Sequence, residues 1–396
     1  AKDLSAKPRI PEMVDTSGFE LGRNIAVSPG AVIARTDVYE LIRYQPTTAT
    51  IREVPLLLVP PTINTSYAID LAPGRSLVEY LVGQGQQVFV MSWRNPSAEH
   101  ADWDSDRYAA EILTAIDTTI RVAGSEKVAL TGICSGGILS SLAVSHLAAT
   151  GRLDLLAAFS LFVTVLDQEH AGLPAALGGP KTAELAKRAS RQRGYLDGRD
   201  LAEAFAWLRP GDLVWNYWVN NYLLGRRPPA FDILFWNADT VRMPAGLHAD
   251  FIALGNRFVN AGTHETLGTP VDLGTITTDT YVVAGIADHI TPWQNCYRTT
   301  QLLGGDTRFI LSTSGHIAAL VNPPSNPKAS YRDGSTGHED ANEWLENAQQ
   351  HAGGWWPDYD AWLAQRCGPQ VTAPTRLDTG GSSVLAEAPG TYVFEP

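Results

Sequence analysis

The sequence predicts an α/β architecture: a mostly parallel central sheet flanked by helices, with a cap subdomain inserted between two of its strands. Three observations predict it. Short, wholly apolar runs alternate with amphipathic stretches at the spacing of right-handed crossovers. One such run, Lys127 to Ile133, breaks at Gly132-Ile133-Cys134-Ser135-Gly136 and resumes with helical spacing, which is strand, sharp turn, helix. The alternation then lapses from 168 to 270, where aromatic-rich helical pieces replace it, and afterwards returns.

Taken in order, residues 1–19 are polar, hold Pro8 and Pro11, and read as a loose leader. Alternation over Glu40 to Tyr44, followed by Thr47, Thr48 and Thr50, predicts early edge strands. Leu56-Leu57-Leu58-Val59 reads as a strand covered on both faces, and it stops at Pro60-Pro61-Thr62-Ile63-Asn64. Pro73 starts a helix over Arg75 to Gly83, and Gln87 to Ser92 is the next buried strand. From Asp106 to Val122, apolar residues at 109, 112, 113, 116 and 120 repeat at helical spacing, so one face packs on the sheet. The elbow helix runs from about Ser135 to Ala149 and is closed by Gly151. Leu155 to Val165 is a further strand, ending at Asp167.

The first half of the sheet domain is therefore 20–167 and the cap 168–270. The cap is dense in Trp207, Trp215, Tyr217, Trp218, Tyr222, Phe231, Phe235 and Trp236, which are expected to form its own core, or in part to line an apolar tunnel or hold a partner cap. The second half, 271–370, carries strands at Thr280 to Gly285 and Arg308 to Leu311 and helices at Glu339 to His351 and Asp358 to Arg366. A Gly/Ser/Pro-rich tail, 371–396, follows, and internal repeats are absent.

Composition bounds the function. At 396 residues and 44% apolar, the chain can bury a real core. Its three cysteines, Cys134, Cys296 and Cys367, form no paired spacing, which argues against a disulfide framework or a zinc site and fits a reducing cytoplasm. A formal net charge of −12, without a Lys/Arg cluster, argues against nucleic-acid binding. There is no signal peptide and no apolar run long enough to span a bilayer, so a soluble protein is expected. The chain begins at Ala1 without an initiator Met, and an upstream region is expected to have been removed.

Cys134 occupies the nucleophile position of a Gly-x-Ser-x-Gly elbow. Gly132 and Gly136 lack a Cβ, so the turn can tighten and the helix can lie close to the strand. The helix N-terminus then points unpaired N–H groups and the positive dipole end at the sulfur. In α/β-hydrolase folds the acid and the histidine follow the nucleophile in that order, each on a loop at the end of a sheet strand. Asp288 and His316 satisfy both the order and the context. His316 is expected to take the thiol proton, and Asp288 to fix its tautomer. Asp167 is the competing acid, its other role being to cap the first cap helix. His289 either assists or shapes its loop by hydrogen bonding. Cys296 and Cys367 read as packing residues. The oxyanion hole is expected from the N–H of Ser135 and, since neither Pro60 nor Pro61 has an N–H, from that of Ile63. No cofactor or metal is expected. Arg75 and Arg94 could meet phosphates but read more readily as salt-bridge residues.

The motifs Pro60-Pro-Thr-Ile-Asn, Asp70-Leu-Ala-Pro-Gly-Arg-Ser-Leu-Val-Glu-Tyr, Val88-Phe-Val-Met-Ser-Trp-Arg-Asn-Pro, Gly132-Ile-Cys-Ser-Gly-Gly, Trp215-Asn-Tyr-Trp-Val-Asn-Asn-Tyr-Leu-Leu-Gly, Asp288-His-Ile-Thr-Pro-Trp, Ser314-Gly-His-Ile and Val321-Asn-Pro-Pro together resemble polyhydroxyalkanoate synthases. The resemblance runs from about Phe19 into the tail, and the cap segment and tail are most similar to the medium-chain (class II) type. It implies polymerisation of (R)-3-hydroxyacyl-coenzyme A into polyester, with coenzyme A as leaving group rather than cofactor. The family's nucleophile, acid and base then fall on Cys134, Asp288 and His316. It further implies a homodimer on the surface of cytoplasmic polyester granules. Family members usually carry an additional N-terminal region, which this chain is expected to lack or to have lost. The rival readings are a cysteine-elbow thioesterase or polyester hydrolase, and a non-catalytic granule-binding protein.

Overall fold

The computed structural model describes residues 7–167, 179–255 and 260–396. Among them the spine is an eleven-stranded sheet. In chain order its strands are β1 (Gly30–Arg35), β2 (Tyr39–Tyr44), β3 (Leu56–Val59), β4 (Val88–Trp93), β5 (Val128–Ile133), β6 (Leu156–Phe162), β7 (Thr280–Gly285), β8 (Thr307–Ser312), β9 (Ser330–Gly334), β10 (Gln349–Ala352) and β11 (Ala386–Glu387). Across the sheet they lie in the order β10-β9-β8-β7-β6-β5-β3-β4-β2-β1-β11. The strands from β4 to β8 pair in parallel, and antiparallel strands close both edges. This is the α/β-hydrolase arrangement expected from the sequence.

The parallel strands are buried on both faces because helices cover both. Leu56 and Leu58 join one core and Leu57 and Val59 the other, and Val88/Val90 against Phe89/Met91 divide the same way. Helix α1 (Leu77–Gly83) is capped by Ser76, and α2 (Ser105–Ala123) by Asp104, whose carboxylate accepts from Arg107 N at 2.8 Å. Gly124, at φ +69°, ends α2. Helix α3 (Ser135–Ala149) packs between α2 and β5, which is why it is apolar nearly all round.

The described part of the cap contributes α4 (Pro180–Arg193), α5 (Gly198–Leu208), α6 (Asp232–Ala238) and α7 (Ala245–Leu254). The expectation that Asp167 caps a first cap helix bears on residues 168–178, which lie outside the described residues. Four of the eight cap aromatics singled out in the sequence do not form a buried core as expected. Trp207, Trp215, Tyr222 and Phe231 are 40–53% exposed, whereas Trp236 is buried.

Three further differences from the sequence reading lie in the edge strands, the leader and the tail. The helix expected over Glu339 to His351 is shorter (Ala341–Asn347), and β10 follows it, paired to β9. These edge strands are polar and half-exposed, so no hydrophobic period marks them. The described part of the leader, 7–19, is anchored, with Ile10 buried against Ala206 and Val214. The tail is anchored too. Glu40, fully buried in β2, accepts from Thr391 N (2.8 Å), Thr391 Oγ1 (2.7 Å), Tyr392 N (3.0 Å) and Arg35 Nε (2.8 Å). A buried carboxylate needs such partners, and here the tail supplies them.

Candidate active site

Strand β5 delivers Cys134 to the N-cap of α3 with φ +53° and ψ −122°, a region that side chains rarely adopt and that costs about 1–3 kcal/mol. The turn holds because its neighbours fix it. Cys134 N donates to Phe162 O (2.9 Å), and Cys134 O accepts from Gly137 N (2.9 Å). A Cβ on Gly136 would lie 2.3 Å from Pro60 O and 2.5 Å from Val59 O, and one on Gly132 would lie 2.5 Å from Gly137 Cα. The elbow and the loop after β3 thus touch backbone to backbone. Gly136→Ala is expected to push them apart at a cost of about 3 kcal/mol, and thermal denaturation against wild type measures it. An unchanged melting temperature would contradict that close approach.

Loop residue Thr62 donates its N–H to Ser135 Oγ at 2.9 Å, and the two hydroxyl oxygens lie 3.2 Å apart. The first N–H left beyond the prolines is therefore that of Ile63, which meets no acceptor among the described residues, while Ile63 O accepts from Val241 N (3.1 Å). Trp93 Nε1 on Pro60 O (2.9 Å) and Trp236 Nε1 on Thr65 O (2.8 Å) brace this loop from opposite ends. Ser135 and Ile63 line the same cavity as Cys134.

Strand β7 leads into Asp288, which precedes α8 (Trp293–Leu302), and β8 leads into His316, the first residue of α9 (His316–Leu320). His316 Nδ1 lies 2.7 Å from Asp288 Oδ2. The Asp288 side chain is fully buried. Its Oδ1 accepts from Ile290 N (2.8 Å) and Thr291 N (2.9 Å), and its Oδ2 from Thr291 Oγ1 (2.5 Å). Burial alone would raise the carboxyl's pKa, but the His316 charge and these hydrogen bonds outweigh it and hold it below the usual value. Burial likewise works to lower the imidazole's pKa. The Asp288 charge, with hydrogen bonds to Asp288 and Cys134, overcomes this and holds it well above the usual value.

Cys134, Ser135, Ile63, Thr291 and His316 open on one cavity of about 760 Å³, within the range of small-molecule sites. Its far walls come from the cap, including Ala186, Phe205, Trp236 and Phe251. Of the cap aromatics singled out in the sequence, Trp236 lines it.

The other candidates are placed elsewhere. Asp167 is buried and pairs with Arg298, so the acid on His316 Nδ1 is Asp288. His289 was expected to shape its loop by hydrogen bonding, but its ring nitrogens meet no partner among the described residues; burial lowers its pKa. Cys296 and Cys367 are fully buried, and burial pushes the first thiol well up and the second to about 12. Arg75 is paired with Asp232 (2.6 Å), and Arg94 with Glu395 (3.1 Å) over the Tyr392 ring. Thr291 was missed as an individual residue. Its signal was an Asp with a hydroxyl three residues on, the pattern of a carboxylate that folds its own loop.

Comparisons with known proteins bear on this geometry. A family model described as "Poly-beta-hydroxybutyrate polymerase (PhaC) N-terminus" matches residues 1–81, and one described as "alpha/beta hydrolase fold" matches residues 55–323. The chain is 45% identical, over all of its length and 71% of the relative's, to poly(3-hydroxyalkanoate) polymerase 1 of Ectopseudomonas oleovorans. It is 42% identical to polymerase 2 of the same organism, over 99% of this chain and 70% of that one. Against the poly(3-hydroxyalkanoate) polymerase subunit PhaC of Cupriavidus necator it is 39% identical, over 96% and 66%.

Proposed function

This chain belongs to the poly(3-hydroxyalkanoate) polymerase family, which makes it an acyltransferase, and we propose that it polymerises (R)-3-hydroxyacyl-coenzyme A through a covalent acyl-Cys134 intermediate. The observation that carries this reading is the convergence of an elbow cysteine and a buried Asp288–His316 pair on one apolar cavity.

In the loading step the Cys134 sulfur attacks the thioester carbonyl, with its proton passing to His316. The carbonyl oxygen becomes an oxyanion held by the N–H groups of Ser135 and Ile63. Collapse breaks the bond to the coenzyme A sulfur, which leaves with the proton from His316. One thioester has replaced another at little free-energy change. In the transfer step His316 takes the proton of an incoming 3-hydroxyl, the oxygen attacks the acyl-cysteine, and Cys134 regains its thiol as an oxoester forms. Asp288 holds the ring with Nε2 free for these transfers. No cofactor enters, since coenzyme A is the leaving group. The apolar walls keep out water, which would otherwise hydrolyse the intermediate.

The likeness of the cap segment and tail to the medium-chain type extends the reading to monomers such as (R)-3-hydroxyoctanoyl-coenzyme A. No helix among the described residues is long and apolar enough to cross a membrane. Exposed Trp207, Trp215, Leu223 and Leu224 on the cap support docking on a cytoplasmic polyester granule and pairing of two chains as a homodimer. Incubation with (R)-3-hydroxyoctanoyl-coenzyme A is expected to release thiol and deposit insoluble polymer. Thiol release matched by free hydroxy acid would mean that water is the acceptor and the chain a thioesterase.

A further inference from the structure

We propose that Thr291 is a positioning residue for the transfer chemistry, its hydroxyl locking Asp288 and His316 into a single geometry. The inference rests on the reading of His316 as the base. Its support is geometric. Thr291 Oγ1 donates to Asp288 Oδ2 at 2.5 Å, the backbone N–H of Thr291 donates to Asp288 Oδ1 at 2.9 Å, and Thr291 Oγ1 lies 3.1 Å from His316 Nδ1.

The donor assignments follow from what each atom can do. The ionised carboxylate only accepts, so the single hydroxyl hydrogen goes to Oδ2. The lone pairs of Oγ1 then face the Nδ1–H of the imidazole, which donates mainly to Oδ2 at 2.7 Å and grazes the hydroxyl. The three side chains close a ring of hydrogen bonds in which neither the carboxylate nor the imidazole can rotate without breaking two of them. With Ile290 N and Thr291 N on Oδ1, both carboxylate oxygens carry two donors each. Thr291 is 8% exposed, so water does not readily take its place.

The hydroxyl also tempers the acid. Deleting it concentrates negative charge on Oδ2, a charge-assisted bond being the strong kind. The other charged or titratable groups acting on this pair are Cys134 on the imidazole, Cys296 on the carboxylate and His289 on both, with Arg209 and Asp212 acting on His289. Cys296 Sγ also meets Thr291 O at 3.8 Å, a main-chain contact that a side-chain replacement leaves in place. The imidazole then holds its proton to higher pH, and the acid limb of the rate profile, where His316 must be neutral to accept the hydroxyl proton, moves upward. Removing the hydroxyl from Nδ1 acts the other way, but at 3.1 Å against 2.5 Å that interaction is the weaker one.

The test compares Thr291→Val and Thr291→Ser on thiol release across pH, with melting temperatures alongside. Thr291→Val is expected to lower kcat on the order of tenfold or more with KM little changed, because geometry at the reacting atoms is disturbed. It should also move the acid-limb midpoint to higher pH, and Thr291→Ser should restore both. Should the valine variant not fold, Thr291→Ala serves, since it sets no methyl group against the carboxylate. A variant that melts lower yet keeps the wild-type kcat and midpoint would overturn the proposal, leaving Thr291 a packing residue only. Cys134→Ala and His316→Ala run in parallel separate this from the underlying reading: activity retained by His316→Ala removes the base and activity retained by Cys134→Ala removes the nucleophile, whatever Thr291 does.

Discussion

Cys134→Ala is expected to release no coenzyme A above background from (R)-3-hydroxyoctanoyl-coenzyme A, a fall on the order of 10⁴-fold or more. The size follows from the role. Without the sulfur there is no acyl-enzyme, and the Asp288–His316 pair has nothing to activate. The two remaining thiols cannot substitute, because Cys296 and Cys367 are buried and their thiols are held protonated. Alanine has the same Cβ as cysteine, so the backbone at φ +53° is no more strained than before. A melting temperature within a few degrees of wild type is therefore expected, and it separates lost chemistry from lost fold. Substantial thiol release by a folded Cys134→Ala protein would remove both the nucleophile and the covalent pathway.

Asp288→Asn is the second large effect, with thiol release expected to fall about 10³- to 10⁴-fold, the magnitude known for acid-to-amide replacement in a nucleophile–His–Asp triad. The amide is nearly isosteric, but it carries no charge to stabilise an imidazolium. The N–H groups of Ile290 and Thr291 bond to Oδ1, so an amide keeping its carbonyl there turns its NH₂ towards Nδ1. That forces the tautomer in which Nε2 is protonated and cannot act as a base.

The same substitution has a stability signature whose sign can be worked out. Asp288 is depressed in the fold, so its contribution is present above its unfolded value of about 3.9 and is lost as pH falls through the folded one. His316 is raised, so its contribution is present below about 6.5 and is lost as pH rises through the folded value. The difference in melting temperature between wild type and Asp288→Asn should therefore be greatest between about pH 4 and 6.5. A difference independent of pH would mean that the pair is not ionised as described.

Much of the site-bearing fold was legible because the chemistry of burial writes it into the chain. Leu56–Val59 and Thr280–Gly285 are bounded as read, since strands covered on both faces are predominantly apolar. The elbow was readable because only glycine fits where Gly136 meets Pro60 O. Asp288 and His316 were readable from their places after β7 and β8, and the structure brings them within 2.7 Å of each other.

What was not legible depends on distant partners. Glu40 looks like a solvent-facing strand residue until the tail is laid against it. The polar strands β9 and β10 are set by pairing with β8 and each other, which no local period records. The cap's rings carry no mark of whether a core, a ligand or a neighbour covers them, and Trp207 and Trp215 are left on the surface. Thr291 shares one short turn with Asp288, yet its hydroxyl also reaches His316 across 25 residues, a meeting that only the folded loops create.

The measurement that bears most directly on the covalent pathway is rapid quenching of the wild-type protein with (R)-3-hydroxyoctanoyl-coenzyme A, followed by digestion and peptide mass spectrometry. The account predicts the added mass of a 3-hydroxyoctanoyl group, or of a short ester of such units, on the peptide that carries Cys134. Coenzyme A release with that peptide unmodified, or with the acyl group on another residue, would contradict it.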